Sequence, residues 1–170
     1  SCTHLQWRST YKNLTQSVFF SFVAKQNHRV LENRNSFIIS MLDHGSLIFL
    51  VLLKSLSDFF CYVNDVRGAN CTIYLTSYSS PDRASRIQHL LDRPDVSYFS
   101  WDSSERVRHS DLPDKIDECF FCSGYGQPSK FLKNNVKTSL INVVGVESLL
   151  DYIHSHGGGK FTFLSTSEIY

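Results

Sequence analysis

The sequence has no uninterrupted apolar run of the ~20 residues that a membrane-spanning helix requires. Its strongest run, Leu47 to Leu53 (LIFLVLL), is soon followed by Lys54 and Asp58, so it reads as a core helix and no membrane partner is expected. Charge of one sign is not massed either: 17 basic residues stand against 16 acidic ones, for a formal net charge of +1. Nothing in that balance argues for nucleic acid. Disulfide-framework spacing is missing as well. Cys2, Cys61, Cys71, Cys119 and Cys122 make an odd count, and a globular chain of 170 residues does not need staples. Reduced thiols in the cytoplasm are the expectation. The sequons Asn13-Leu14-Thr15 and Asn70-Cys71-Thr72 come with no secretory signal and are read as chance matches. There is no internal repeat and no low-complexity tract.

What is there fits one packed domain. Hydrophobic residues make up 42% of the chain and charged residues 19%, the balance of a globular protein. Residues 1–35 are polar with scattered aromatics and no clear period, and are taken as an amino-terminal extension of unknown structure. From Ser36 the pattern organises. Apolar or β-branched runs at 36–41, 71–77, 96–100, 116–122 and 160–165 read as strands. Helices are expected at about 46–63, 80–91 and 135–154. The second has Ser80 to cap it, Pro81 at its first position and Asp82 against its dipole. The third has a helical period in Val136, Leu140, Val143, Val144, Leu149 and Ile153, and stops at Gly157-Gly158-Gly159. The stretches 63–70 and 123–129 read as a turn and a glycine-containing loop, and 102–115 as a loop with a short helix. Alternation of strand and helix predicts an α/β fold over 36–170, a Rossmann-like doubly wound parallel sheet in three layers. Ligands of such sheets bind beyond the carboxyl ends of the strands, so the loops at 42–46, 122–129 and 165–170 are the ones to watch.

The last third carries a family resemblance. IDECFFCSGYGQPSKFLKNNVKTSLINVVGVESLLDYI followed by KFTFLSTSEIY resembles the extended short-chain dehydrogenases, in particular the NAD-dependent epimerases and dehydratases and the UDP-glucuronate decarboxylases. Pro128 matches the proline after the family's fourth strand. Asn142 and Gly145 in NVVG match the asparagine and glycine of the next helix, and STSEIY at 165–170 matches the family's Ser-Thr-Ser-Glu-Val-Tyr-like strand end. WDSS places Asp102 at the aspartate that holds the adenine. The resemblance covers about residues 36–170 and implies NAD or NADP as cofactor and a nucleotide sugar as substrate. It makes Gly45, Asp102, Cys122, Ser123, Asn142 and Ser165 candidate cofactor contacts. It allows a homodimer or a larger assembly.

For chemistry the resemblance implies hydride transfer from a sugar carbon, with a tyrosine as base and a lysine lowering its pKa. Thr166 matches the hydroxyl that holds the substrate oxygen, Glu168 the carboxylate near the sugar, and Ser167 lies between them. Small polar residues such as Thr166 and Ser167 also end strands for purely local reasons. The sequence departs from the family in three places. The glycine-rich turn that lets the backbone approach a pyrophosphate reads LDHGSLI at 42–48, with Gly45 alone and Asp43 adding like charge. The second strand ends in Thr76-Ser77-Tyr78 without the acidic residue that would bind a ribose, which leaves NAD and NADP both open. The Tyr-x-x-x-Lys pair and the sugar-binding half are not in these 170 residues. Tyr11 is no substitute, because Thr15 stands where the lysine would be. The expectation is a cofactor domain inactive by itself; the alternative is a non-catalytic subunit that keeps the fold. Cys119-x-x-Cys122 resembles half of a zinc or redox site, but no second pair accompanies it and no metal site is expected.

Overall fold

The computed structural model describes residues 36–41, 47–83, 87–125 and 128–164, all within one compact unit, Arg34–Tyr170. Five strands form one sheet: β1 (Ser36–Met41), β2 (Thr72–Ser77), β3 (Val96–Ser100), β4 (Glu118–Cys122) and β5 (Lys160–Phe163). Every pairing is parallel and the order is β3-β2-β1-β4-β5. The chain builds outward from β1 in one direction and then, through β4, in the other. Right-handed crossovers put the connections of the two halves on opposite faces. This is the doubly wound Rossmann arrangement that the alternating pattern predicted.

Alternate residues of β4 show both faces at work. Phe120 meets Phe60 of α1 (Leu47–Arg67) at a ring separation of 6.2 Å. Its neighbour Phe121 packs on Trp101 and Phe161 on the other side, with Ile141, Leu149 and Ile153 in the same cluster. All five β4 residues are buried, as befits a strand covered on both faces. Burial of side chains such as Ile73, Leu75 and Phe121 is worth about 1.5–3 kcal/mol each.

Several element boundaries differ from the sequence reading. Helix α1 continues through 63–67, where a turn was expected. Asn64 and Asp65 do not break it, and it stops at Gly68, whose φ of 61° is the left-handed conformation that ends helices. The helix expected over 80–91 is divided in its described part. A 3₁₀ turn covers Pro81–Arg83 and a short α2 covers Gln88–Leu91. Ile87, with φ −116° and ψ 8°, lies outside helical geometry, so α2 starts afresh after it. Part of the 123–129 loop is helical: α3 (Pro128–Lys133) opens on Pro128, whose fixed φ suits a first helical position. The long helix expected to follow is present as α4 (Asn135–Leu140), a π-helical stretch (Ile141–Gly145) and α5 (Val146–Ser155). In the 102–115 segment the short helix is a 3₁₀ turn at His109–Asp111. Strands β2 and β4 begin one and two residues later than read, and β5 is described to Phe163. Among the described residues no helix is long and apolar enough to cross a membrane.

Candidate functional site

The register fixes which residues meet at the carboxyl edge of the sheet. Ser100, Ser77, Met41 and Cys122 end neighbouring strands side by side, and Leu164 donates its N–H to Phe121 O at 3.0 Å. The direction of chain progression reverses between β1 and β4, so the crevice of a doubly wound sheet falls there. Gly45, in the connection after β1, lies outside the described residues, as do Ser165, Thr166, Ser167 and Glu168, which follow Leu164 in the sequence.

Of the other candidates, Asp102 and Ser123 are drawn into one network. Trp101 donates its backbone N–H to Ser77 O at 2.8 Å, and its indole packs against Phe121. Two residues on, Ser103 donates its hydroxyl to Ser123 Oγ at 3.0 Å, and both side chains are buried. The segment after β3 is thereby led across the strand ends to the loop after β4. Gly145 secures the crossing from above: a Cβ there would stand 2.3 Å from Ser103 O. The NVVG motif coincides with the π-helical stretch, and its glycine is required by this backbone approach. Further along, Val107 donates its N–H to Ser148 Oγ at 3.0 Å, and Arg106 pairs with Glu147 and Asp151.

Both oxygens of Asp102 are engaged. Its Oδ1 accepts from the Ser104 N–H at 3.0 Å and the Ser104 hydroxyl at 2.7 Å, and its Oδ2 accepts from Lys137 Nζ at 2.7 Å. Burial raises its pKa, but the bonds from Lys137 and Ser104 outweigh that and hold the carboxyl below its usual range. The Lys137 ammonium also lies 4.7 Å from the ring centroid of Tyr78, the residue after β2. Burial lowers the Lys137 pKa and Asp102 raises it, and the net shift is upward.

Asn142 stands apart. Its side chain is exposed and donates to Thr138 O one turn back, at 3.0 Å. Cys122 lies at the crevice, but its thiol is buried and pushed up to about 12 by that burial. Cys119, also fully buried, is raised further for the same main reason, so neither thiol is poised for redox or metal chemistry. Among the described residues no group of three or more His, Cys, Asp or Glu could hold a metal. The residues that sequence reasoning missed are Lys137 and Ser103. Neither belongs to a motif: they reach the site from separate segments, and only the tertiary fold joins them to Asp102 and Ser123.

The chain was compared with known proteins. A sequence model of the NAD dependent epimerase/dehydratase family matches residues 60–170, about two thirds of the chain, starting within α1 and so after the 42–46 connection. No curated protein matches. Among solved structures, the X-ray structure of Pen from Bacillus thuringiensis is similar with a TM-score of 0.56 and 16% identity. The similarity covers 80% of this chain and 38% of that one, so the chain spans well under half the length of this neighbour. At that identity the likeness concerns the fold. The family match extends over the ends of β2, β3 and β4 and the π-helical glycine, and the chain belongs to the NAD dependent epimerase/dehydratase family.

Proposed function

We propose that this chain is the cofactor-binding half of a sugar-nucleotide epimerase, dehydratase or decarboxylase, and that by itself it binds NAD or NADP weakly or not at all. The observation that carries this reading is the state of Asp102. The carboxylate assigned to the adenine is already satisfied by Lys137 and Ser104. The residues present therefore fit a dinucleotide poorly, a mismatch that LDHGSLI at 42–48 deepens by replacing the glycine-rich turn.

Thr166, Ser167 and Glu168 keep the family's order, and in this reading Thr166 and Glu168 orient a sugar hydroxyl. Thr166 does not supply the base, because threonine is a poor proton acceptor near neutral pH. The chain with added NAD should show no turnover of UDP-glucuronate, UDP-glucose or dTDP-glucose. Product formation that disappears in Thr166→Val would overturn the reading and assign the base to a residue not recognised here. The four buried free thiols, Cys61, Cys71, Cys119 and Cys122, support a reducing setting such as the cytoplasm.

A second reading, a non-catalytic subunit within a homodimer or larger assembly, is favoured by one surface. Leu132, Val136, Leu140 and Val143 are exposed along α3, α4 and the π-helical stretch. Apolar side chains grouped in this way often mark a contact surface.

A further inference from the structure

Lys137 links three separate parts of the fold. It stands in the first turn of α4, its ammonium bonds Asp102 beyond β3, and it covers the ring of Tyr78 beyond β2. The side chains of Lys137 and Asp102 are 30% and 21% exposed, so the pair is shielded but within reach of solvent. Tyr78 is 46% exposed, so part of its ring is open to a planar base. The carboxylate and the aromatic face are the two features here that an adenine could use, one for its amino group and one for stacking. The ammonium engages both. The ammonium meets the carboxylate with a full opposite charge, whereas an adenine amino group is a neutral donor, so the base competes at a disadvantage for Oδ2.

We propose that Lys137 determines the specificity of this edge: as an internal cation on Asp102 and Tyr78, it takes the place of the adenine and sets the affinity for adenosine-bearing ligands. The proposal rests on the reading above that Asp102 faces the adenine. An entering base must displace the ammonium from both partners, and removing the charge removes the competitor. Asp102 stays in place through its two bonds from Ser104.

Adenosine is the probe, because it has no phosphate and its binding does not report on the glycine-poor connection. Titrations followed by nuclear magnetic resonance on the full chain compare the wild type with Lys137→Met and Lys137→Arg. Lys137→Met should tighten adenosine binding roughly tenfold, the combined scale of an exposed ion pair and a cation–π contact. Lys137→Arg keeps a cation and should stay near the wild-type value. Lys137→Leu, a second neutral variant, should tighten binding as Lys137→Met does. Equal affinity of wild type and Lys137→Met, or no binding by either, overturns the proposal. So does an equal gain in Lys137→Arg, which would assign the effect to lost packing. Lys137→Leu keeps the proposal testable if Lys137→Met fails to fold, and no gain in it also counts against the proposal. Tight NAD binding by the wild type would defeat the weak-binding reading instead, so the two failures are distinguishable.

Discussion

The two edges of the sheet are built differently. At the amino edge, an amide and a set of ion pairs tie the strand starts together. Asn64 in the last turns of α1 donates to Cys71 O and Asp95 Oδ2 at 2.8 and 2.6 Å, and accepts from the Cys71 N–H at 2.8 Å. Arg93 reaches both Asp65 and Asp95, while the Ile73 N–H donates to Asp95 O. Gly159 lies so close to the start of β4 that a Cβ would fall 2.2 Å from Ile116 O. At the carboxyl edge, hydroxyls predominate: Ser103 bonds Ser123, Ser77 bonds Tyr98, and Tyr98 and Ser100 donate to Ser79 O, with Lys137 on Asp102 as an ion pair. There Thr76 Oγ1 is buried without a hydrogen-bond partner among the described residues. A hydroxyl both donates and accepts, so its bonds can be exchanged for those of a ligand. The sheet is thus pinned by charge at one edge and left open to a ligand at the other, the side where doubly wound sheets bind ligands.

The largest expected effect would break that division from the carboxyl side. Gly145→Ala drives a methyl into Ser103 O, and the neighbour is backbone, so the chain must shift. A loss of about 2–3 kcal/mol in denaturant unfolding is expected. An unchanged midpoint would mean that the crossing after β3 is not fixed by this contact. Next comes Asn64→Ala, which leaves the buried Cys71 N–H and C=O without their partner and should cost about 2 kcal/mol by the same measurement.

Arg93→Met sharpens the comparison through pH. Hydrogen bonding to Arg93 holds the Asp95 carboxyl below its usual range, against an opposing push from burial. A depressed folded pKa stabilises fully above the unfolded value and is lost as pH falls through the folded one. The variant should therefore be less stable than the wild type at neutral pH, with the gap closing below about pH 4. A gap independent of pH would show that the arginine acts through packing alone. The smallest effect on stability is expected for Lys137→Met, within about 1 kcal/mol of the wild type, because its pair is partly exposed.

The sheet was largely legible because its strands are short apolar runs between breakers. SFIISM and VSYFS mark β1 and β3 to the residue. The helix boundaries were less so: Asn64 and Asp65 resemble turn residues, but the left-handed Gly68 decides where α1 ends. Gly145 was visible as a motif, and its reason, the carbonyl of Ser103, appears only once β3 and the helix after β4 are packed together. The Lys137–Asp102 pair spans 35 residues of sequence and follows no periodicity. Side-chain exchange of that kind is set by tertiary geometry, which leaves no local trace in composition or spacing.

Calorimetric titration of the chain with NAD and with NADP tests the central claim most directly. With Asp102 held by Lys137 and LDHGSLI in place of the glycine turn, neither cofactor should bind with micromolar affinity. Micromolar or tighter binding of either one would contradict the account and restore this edge of the sheet as a working cofactor site.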